Sequence, residues 1–130
     1  MKILALLLIA INLTSCSSET TYPDYKNKII GKWSINYPGV PYYYGQAEYK
    51  ENGEVVGWGK AVFPDGTVKE TLFHDSWEIE GNKITFKPLK MYRHEAMNKV
   101  ITDTIIDIND KEMILLNPDG EKLIRTRIKD

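Results

Sequence analysis

A single cysteine, Cys16, is present, so no disulfide can form within the chain and the fold must rest on its own core. The two histidines, His74 and His94, stand twenty residues apart, without the close His or carboxylate spacing of a metal centre. A surplus of one charge is missing too. The 17 basic and 18 acidic side chains leave a net charge of −1, which offers no basic footprint for nucleic acid. The apolar run Ile3 to Ile11, interrupted at Asn12, is far short of the roughly 20 residues that a helix needs to cross a bilayer. No Gly-x-Ser-x-Gly turn, P-loop or dinucleotide fingerprint occurs, and no cofactor is expected. His74-Asp75-Ser76 holds the residue types of a catalytic triad, but neighbours on one strand point to opposite faces, which argues against a working set. Asp103 and Asp107 fall on one strand face with Ile101 and Ile105 and read as a solvated edge rather than an acid–base pair. The chain is not expected to be an enzyme.

What is there begins with Lys2, the apolar run, and the small residues before Cys16, the pattern of a secretory signal. Leu13-Thr14-Ser15-Cys16 resembles the lipobox of bacterial lipoproteins. That resemblance implies cleavage before Cys16, a diacylglyceryl group on its sulfur and usually a third, palmitate-like chain on the new amino terminus. Each buried CH₂ contributes roughly 0.8 kcal/mol, so several chains hold firmly where one is marginal. The implied place is the bacterial cell envelope, and Ser17 rather than Asp after the cysteine favours the outer membrane. Removing residues 1–15 takes Lys2 away and leaves 115 residues, enough for one domain. Residues 16–28 read as a polar tether, and residues 29–130 as the domain.

Within that domain, turn signals recur at short intervals: Pro38-Gly39, Asn52-Gly53, Pro64-Asp65-Gly66, Gly81-Asn82, Asn109-Asp110 and Pro118-Asp119-Gly120. Gly and Asn accept positive φ, and Pro presets the first turn angle. Between them the apolar residues alternate with period two. Ile84 and Phe86 share a face, as do Trp77 and Ile79; Ile124 and Ile128 lie opposite Arg125 and Arg127; Met113 to Leu116 is apolar throughout. The pattern predicts an all-β, antiparallel meander with strands near 29–37, 45–51, 55–63, 67–73, 76–80, 83–88, 100–108, 112–117 and 121–128. Met91 to Lys99 is a longer loop or a helical turn, with Glu95 and Lys99 four apart.

Gly31-Lys32-Trp33 opens the first strong strand, and Gly-x-Trp at that place resembles the lipocalins. Tyr49-Lys50-Glu51-Asn52-Gly53 looks like an aromatic strand entering a tight turn. Trp77-Glu78-Ile79-Glu80-Gly81-Asn82 looks like the hairpin of small bacterial lipocalin-like domains. The resemblance implies a lipocalin-like barrel or flattened barrel, with Trp33 closing its floor and Arg127, or Arg125 in a register shifted by two, lying across the indole. A guanidinium over indole contributes roughly 0.5 to 2 kcal/mol. Thr102-Asp103-Thr104 only echoes the family's Thr-Asp-Tyr, and eight strands leave interior for side chains or one small ligand.

The aromatic patch Tyr42, Tyr43, Tyr44, Tyr49 and Trp58 is the candidate binding site, with the first three in a long loop at the open end. Their rings suit a small apolar or amphipathic ligand, the usual task of the family that the chain resembles. The alternative is a filled barrel that docks on an envelope protein. Tyr43-Tyr44-Gly45, Gly53, Gly57-Trp58-Gly59 and Asp65-Gly66 resemble one MORN hairpin, which supports such a docking face over residues 43–66.

Overall fold

The computed structural model describes residues 21–37, 40–93 and 95–129. The lipobox with Cys16, the turn Pro38-Gly39 and His94 lie outside the described residues. A short helix α1 (Tyr25–Lys28) leads into β1 (Gly31–Tyr37), β2 (Val40–Tyr49), β3 (Glu54–Val62), β4 (Val68–Glu80), β5 (Lys83–Pro88), β6 (Ile101–Ile108), β7 (Glu112–Leu116) and β8 (Lys122–Ile128). Each strand pairs antiparallel with the next, and β8 returns to β1, so the eight strands form a closed barrel. No helix among the described residues is long and apolar enough to cross a membrane.

Three boundaries differ from the sequence reading. The strands predicted at 67–73 and 76–80 are one continuous β4, because His74-Asp75 is no turn. Each pairs with β3, His74 opposite Val56 and Asp75 opposite Val55. Tyr42 to Tyr44 lie in β2 rather than in a loop, since β2 begins at Val40, with Tyr43 opposite Ala61. The stretch read as a tether ends in α1, where Tyr25 and the following Ile29 are buried in the core. The connection between β5 and β6 holds a single 3-10 turn, Glu95–Asn98.

One end of the barrel is closed by α1, Ile29 and Trp33. Inward positions run through Ala47 and Tyr49 on β2, Val55 on β3, Trp77 and Ile79 on β4, Ile84 on β5, and Met113 and Leu115 on β7. On β8 the arginines point inward. Arg125 pairs with buried Met113 and Arg127 with Trp33, while Ile124 is exposed opposite Ile114. On β6 a bulge between Ile105 and Asp107 breaks the alternation. Asp103 shares the inner face with Ile105 and is buried, not solvated, whereas Asp107, past the bulge, is exposed and accepts a hydrogen bond from Asn109.

Candidate functional site

The five aromatic residues of the expected site do not come together. Period-two alternation divides them between the two faces of the β2–β3–β4 wall. Tyr43 and Tyr49 share the inner face with Ala47, while Tyr42, Tyr44 and Trp58 are on the outer face.

The inner face is filled where the backbone makes room. A methyl group on Gly57 would lie 2.5 Å from the Phe73 ring, and one on Gly59 would meet the Tyr43 hydroxyl at 1.8 Å. Both rings therefore rest on bare glycine backbone, a close approach that a side chain would forbid. Tyr49 packs edge-on against Trp77 and Phe86, at centroid distances of 6.0 and 6.3 Å. The Trp77 indole N–H donates to the Glu54 carbonyl at 3.0 Å.

The outer face carries apolar surface into solvent. Tyr42, Tyr44 and Leu72 are each half or more exposed. Tyr44 and Trp58 meet edge to face at 5.9 Å, and the Lys60 ammonium stands 5.4 Å over the Trp58 ring. Trp58 is opposite Leu72, and Val62 is opposite exposed Val68, so the patch continues across β3 onto β4. Contiguous aromatic and aliphatic surface of this kind marks an interaction face.

The titratable groups are arranged in separate places. Tyr92, buried in the β5–β6 connection, donates to Asp75 Oδ1 at 2.6 Å and accepts from the His74 N–H at 2.6 Å. Burial, then the neighbouring Asp75, pushes its phenol up to about 12. Burial also raises the Asp75 carboxyl, against the Tyr92 hydrogen bond that lowers it. His74 Nε2 instead faces Glu54 Oε2 at 3.5 Å, and the Ser76 hydroxyl points to the Lys87 carbonyl at 3.5 Å. The three adjacent residues thus diverge and form no triad. Asp103 is 6 % exposed, its Oδ1 has no hydrogen-bond partner, and burial raises its carboxyl to about 6 despite the lowering charge of Arg125. No cluster of three or more metal-binding side chains occurs among the described residues.

A cleft of about 350 Å³ lies on the outside of the closed end, between Tyr22–Lys26 and Ile79–Gly81. It is distant in sequence from every aromatic residue of the expected site.

No family model and no curated protein matches the sequence. Among solved structures, a lipocalin-like protein from Bacteroides uniformis superimposes with a TM-score of 0.51 at 14% identity, over 78% of this chain and 99% of that one. The fold is lipocalin-like. An uncharacterized protein from Bacteroides eggerthii aligns at 16% identity and a TM-score of 0.49, over 77% of this chain and 99% of that one.

In the lipocalin-like frame, Trp33 is the fully buried indole of β1. The Arg127 guanidinium, rather than that of Arg125, lies over it at 4.1 Å from the ring centroid. Sequence reasoning missed Tyr92 and gave Asp103 the wrong surroundings. Asp103 does share a face with Ile105, but that face is the buried one, and the bulge that parts Asp107 from it leaves no residue signature in Ile105-Ile106-Asp107. For Tyr92 there was no local signal, since it reaches His74 and Asp75 across seventeen and more residues.

Proposed function

We propose that this chain is a lipoprotein of a bacterial envelope, held to the membrane by acyl chains on Cys16, whose lipocalin-like barrel serves as an interaction module through the outer wall of β2, β3 and β4. The observation that carries this reading is the division of the aromatic residues. Inside, the Phe73 and Tyr43 rings lie directly on the backbone of Gly57 and Gly59. Outside, Tyr42, Tyr44, Trp58 and Leu72 present apolar surface that nothing in the chain covers among the described residues. A lipid anchor gives such a module a fixed station, and a docking face gives it something to hold there.

A second reading is a small apolar or amphipathic ligand inside the barrel. The buried, unpartnered Oδ1 of Asp103 favours it, as an acceptor for a ligand hydroxyl or amine.

Native mass spectrometry of the protein released gently from its own membranes separates the two. The first reading expects a bound protein mass that is lost in a Tyr44→Ser, Trp58→Ser double variant. A monomer retaining a small molecule, unchanged in that variant, would establish the second reading instead.

A further inference from the structure

The interaction reading leaves open what the partner looks like, and β4 supplies an answer. This strand pairs with β3 from Val68 to Ser76, but with β5 only from Asp75 to Glu80. At the boundary, the His74 carbonyl accepts the Leu89 N–H at 3.0 Å and the His74 N–H donates to the Tyr92 hydroxyl at 2.6 Å. Backbone groups of alternate strand residues point the same way. The N–H and C=O of Leu72, Glu70 and Val68 therefore point to the same side as those of His74, and no described residue meets them.

Among the described residues, half of β4 is thus a free sheet edge. A free edge is a template for one kind of occupant, an extended chain, because only a strand matches its repeat of donors and acceptors. The side chains of the same residues set the pattern of that occupant. Val68 and Leu72 are exposed apolar groups on the outer face, and Glu70 stands between them, with Lys60 opposite it on β3. Leu89, exposed, extends the apolar surface at the His74 end.

A second copy of this chain fits poorly. Antiparallel self-pairing that sets Val68 opposite Leu72 also sets Glu70 opposite Glu70, and like charges directly opposite destabilise a strand pair. We propose that the free edge Val68–Phe73 takes up an extended segment of a partner protein whose outward residues read apolar, basic, apolar at alternate positions, opposite Leu72, Glu70 and Val68. The pattern is the same read in either direction, so it serves a parallel or an antiparallel strand. This rests on the outer-wall reading above and names the chemistry of the partner.

The probe is a synthetic peptide with valine, threonine, lysine, threonine and valine at its centre, titrated against the protein by fluorescence anisotropy with hydrogen exchange read at single amides. The expected result is saturable binding, with slower exchange at the Glu70 and Leu72 amides. Glu70→Lys should weaken it at least tenfold and restore it for a peptide with glutamate in place of lysine. N-methylation of the peptide along one edge should abolish binding without touching the protein. Binding insensitive to both changes, or none at all, would overturn the proposal, leaving Glu70 and inward-facing Lys69 as mere guards of the edge. Dimerisation of the protein alone with protection of the same amides would overturn it too, assigning the edge to a second copy. If the peptide fails while the Tyr44→Ser, Trp58→Ser variant still loses a native partner, the wall reading stands and only the edge proposal falls.

Discussion

Arg127 and Trp33 are cross-strand partners in the short ladder that closes the barrel, and the guanidinium of the one lies 4.1 Å from the ring centroid of the other. Only Lys32 with Ile128 and Trp33 with Arg127 are in register between β1 and β8. The seam is completed by side chains. Arg127 donates to the Ile30 and Lys28 carbonyls at 2.9 and 2.6 Å, the Trp33 indole donates to the Ile29 carbonyl at 2.8 Å, and Ser34 Oγ accepts the Thr126 N–H at 3.0 Å. One cation therefore ties the last strand to the first and to the end of α1. Gly31 is part of the same device. Its φ is +129°, and a methyl group there would stand 2.8 Å from the Arg127 guanidinium.

Removing members of this seam should destabilise in a set order. Trp33→Ala is expected to cost about 3–5 kcal/mol as a large-to-small change in a fully buried site. Arg127→Met should cost about 1–3 kcal/mol, through the lost cation–π contact and two carbonyls left without their donor. Gly31→Ala should cost more than about 1 kcal/mol from backbone strain. Its penalty should shrink in an Arg127→Met background, where the steric term is gone. Urea unfolding of the four variants measures this, and strict additivity of the last pair would separate Gly31 from the guanidinium.

Asp103 makes stability depend on pH in a direction unusual for a carboxylate. Burial raises its folded pKa to about 6, above the ordinary value of 3.8. The folded state then binds the proton more tightly than the unfolded chain. Its contribution is most favourable below the unfolded pKa and is lost as pH rises through the window from about 4 to about 6. Asp103→Asn should abolish that dependence and raise stability at pH 7, by an amount on the order of 1–3 kcal/mol. Melting temperatures of both proteins from pH 4 to pH 8 test it. Parallel curves would mean that Asp103 ionises without penalty.

Tyr92 holds β4 where the strand loses its second neighbour. Its hydroxyl accepts the His74 N–H and holds one proton between Asp75 at 2.6 Å and the His74 carbonyl at 3.0 Å. Tyr92→Phe keeps the ring and removes those bonds, and should cost about 1–3 kcal/mol for a buried group left unsatisfied. Hydrogen exchange should quicken at the His74 and Leu89 amides before anywhere else. Uniform acceleration over the barrel would assign Tyr92 to packing alone.

Much of this architecture was legible because turns and alternation are local. Gly53, Gly66, Gly81 and Gly120, each at positive φ, sit where Asn-Gly, Asp-Gly and Gly-Asn mark the chain reversals, so the strand order and the barrel follow from them. The candidate site was less legible, for a different reason. Tyr42-Tyr43-Tyr44 reads as one patch along the sequence, but adjacent strand residues face opposite ways, and three rings in a row become two outside and one inside. Facing on β8 is likewise decided at a distance. Leu123 and the arginines face in where Trp33 provides a ring for Arg127 to cover, a partner ninety-four residues away.

The amino-terminal reading stands on its own test. Cys16→Ala should release the protein from membranes and abolish incorporation of labelled palmitate, because Cys16 supplies both the sulfur and, after cleavage, the amino group that the lipobox chemistry would acylate. Full attachment of the variant to membranes would refute the lipid anchor and leave the barrel to find its station by other contacts.

Tyr43→Ala and Tyr44→Ala, one residue apart, should behave as opposites. The Tyr43 ring lies inside against Gly59 and is partly buried, so its removal should cost about 1–3 kcal/mol. The Tyr44 ring is half exposed and meets Trp58 only at its edge, so its removal should change stability by no more than about 1 kcal/mol. Partner binding should follow the reverse order, weakened by Tyr44→Ala and spared by the milder inner change Tyr43→Phe. Chemical denaturation and a binding titration on the same samples give both numbers. If Tyr43→Ala left stability intact and Tyr44→Ala left binding intact, the inner ring would not be core and the outer wall would not be the working face.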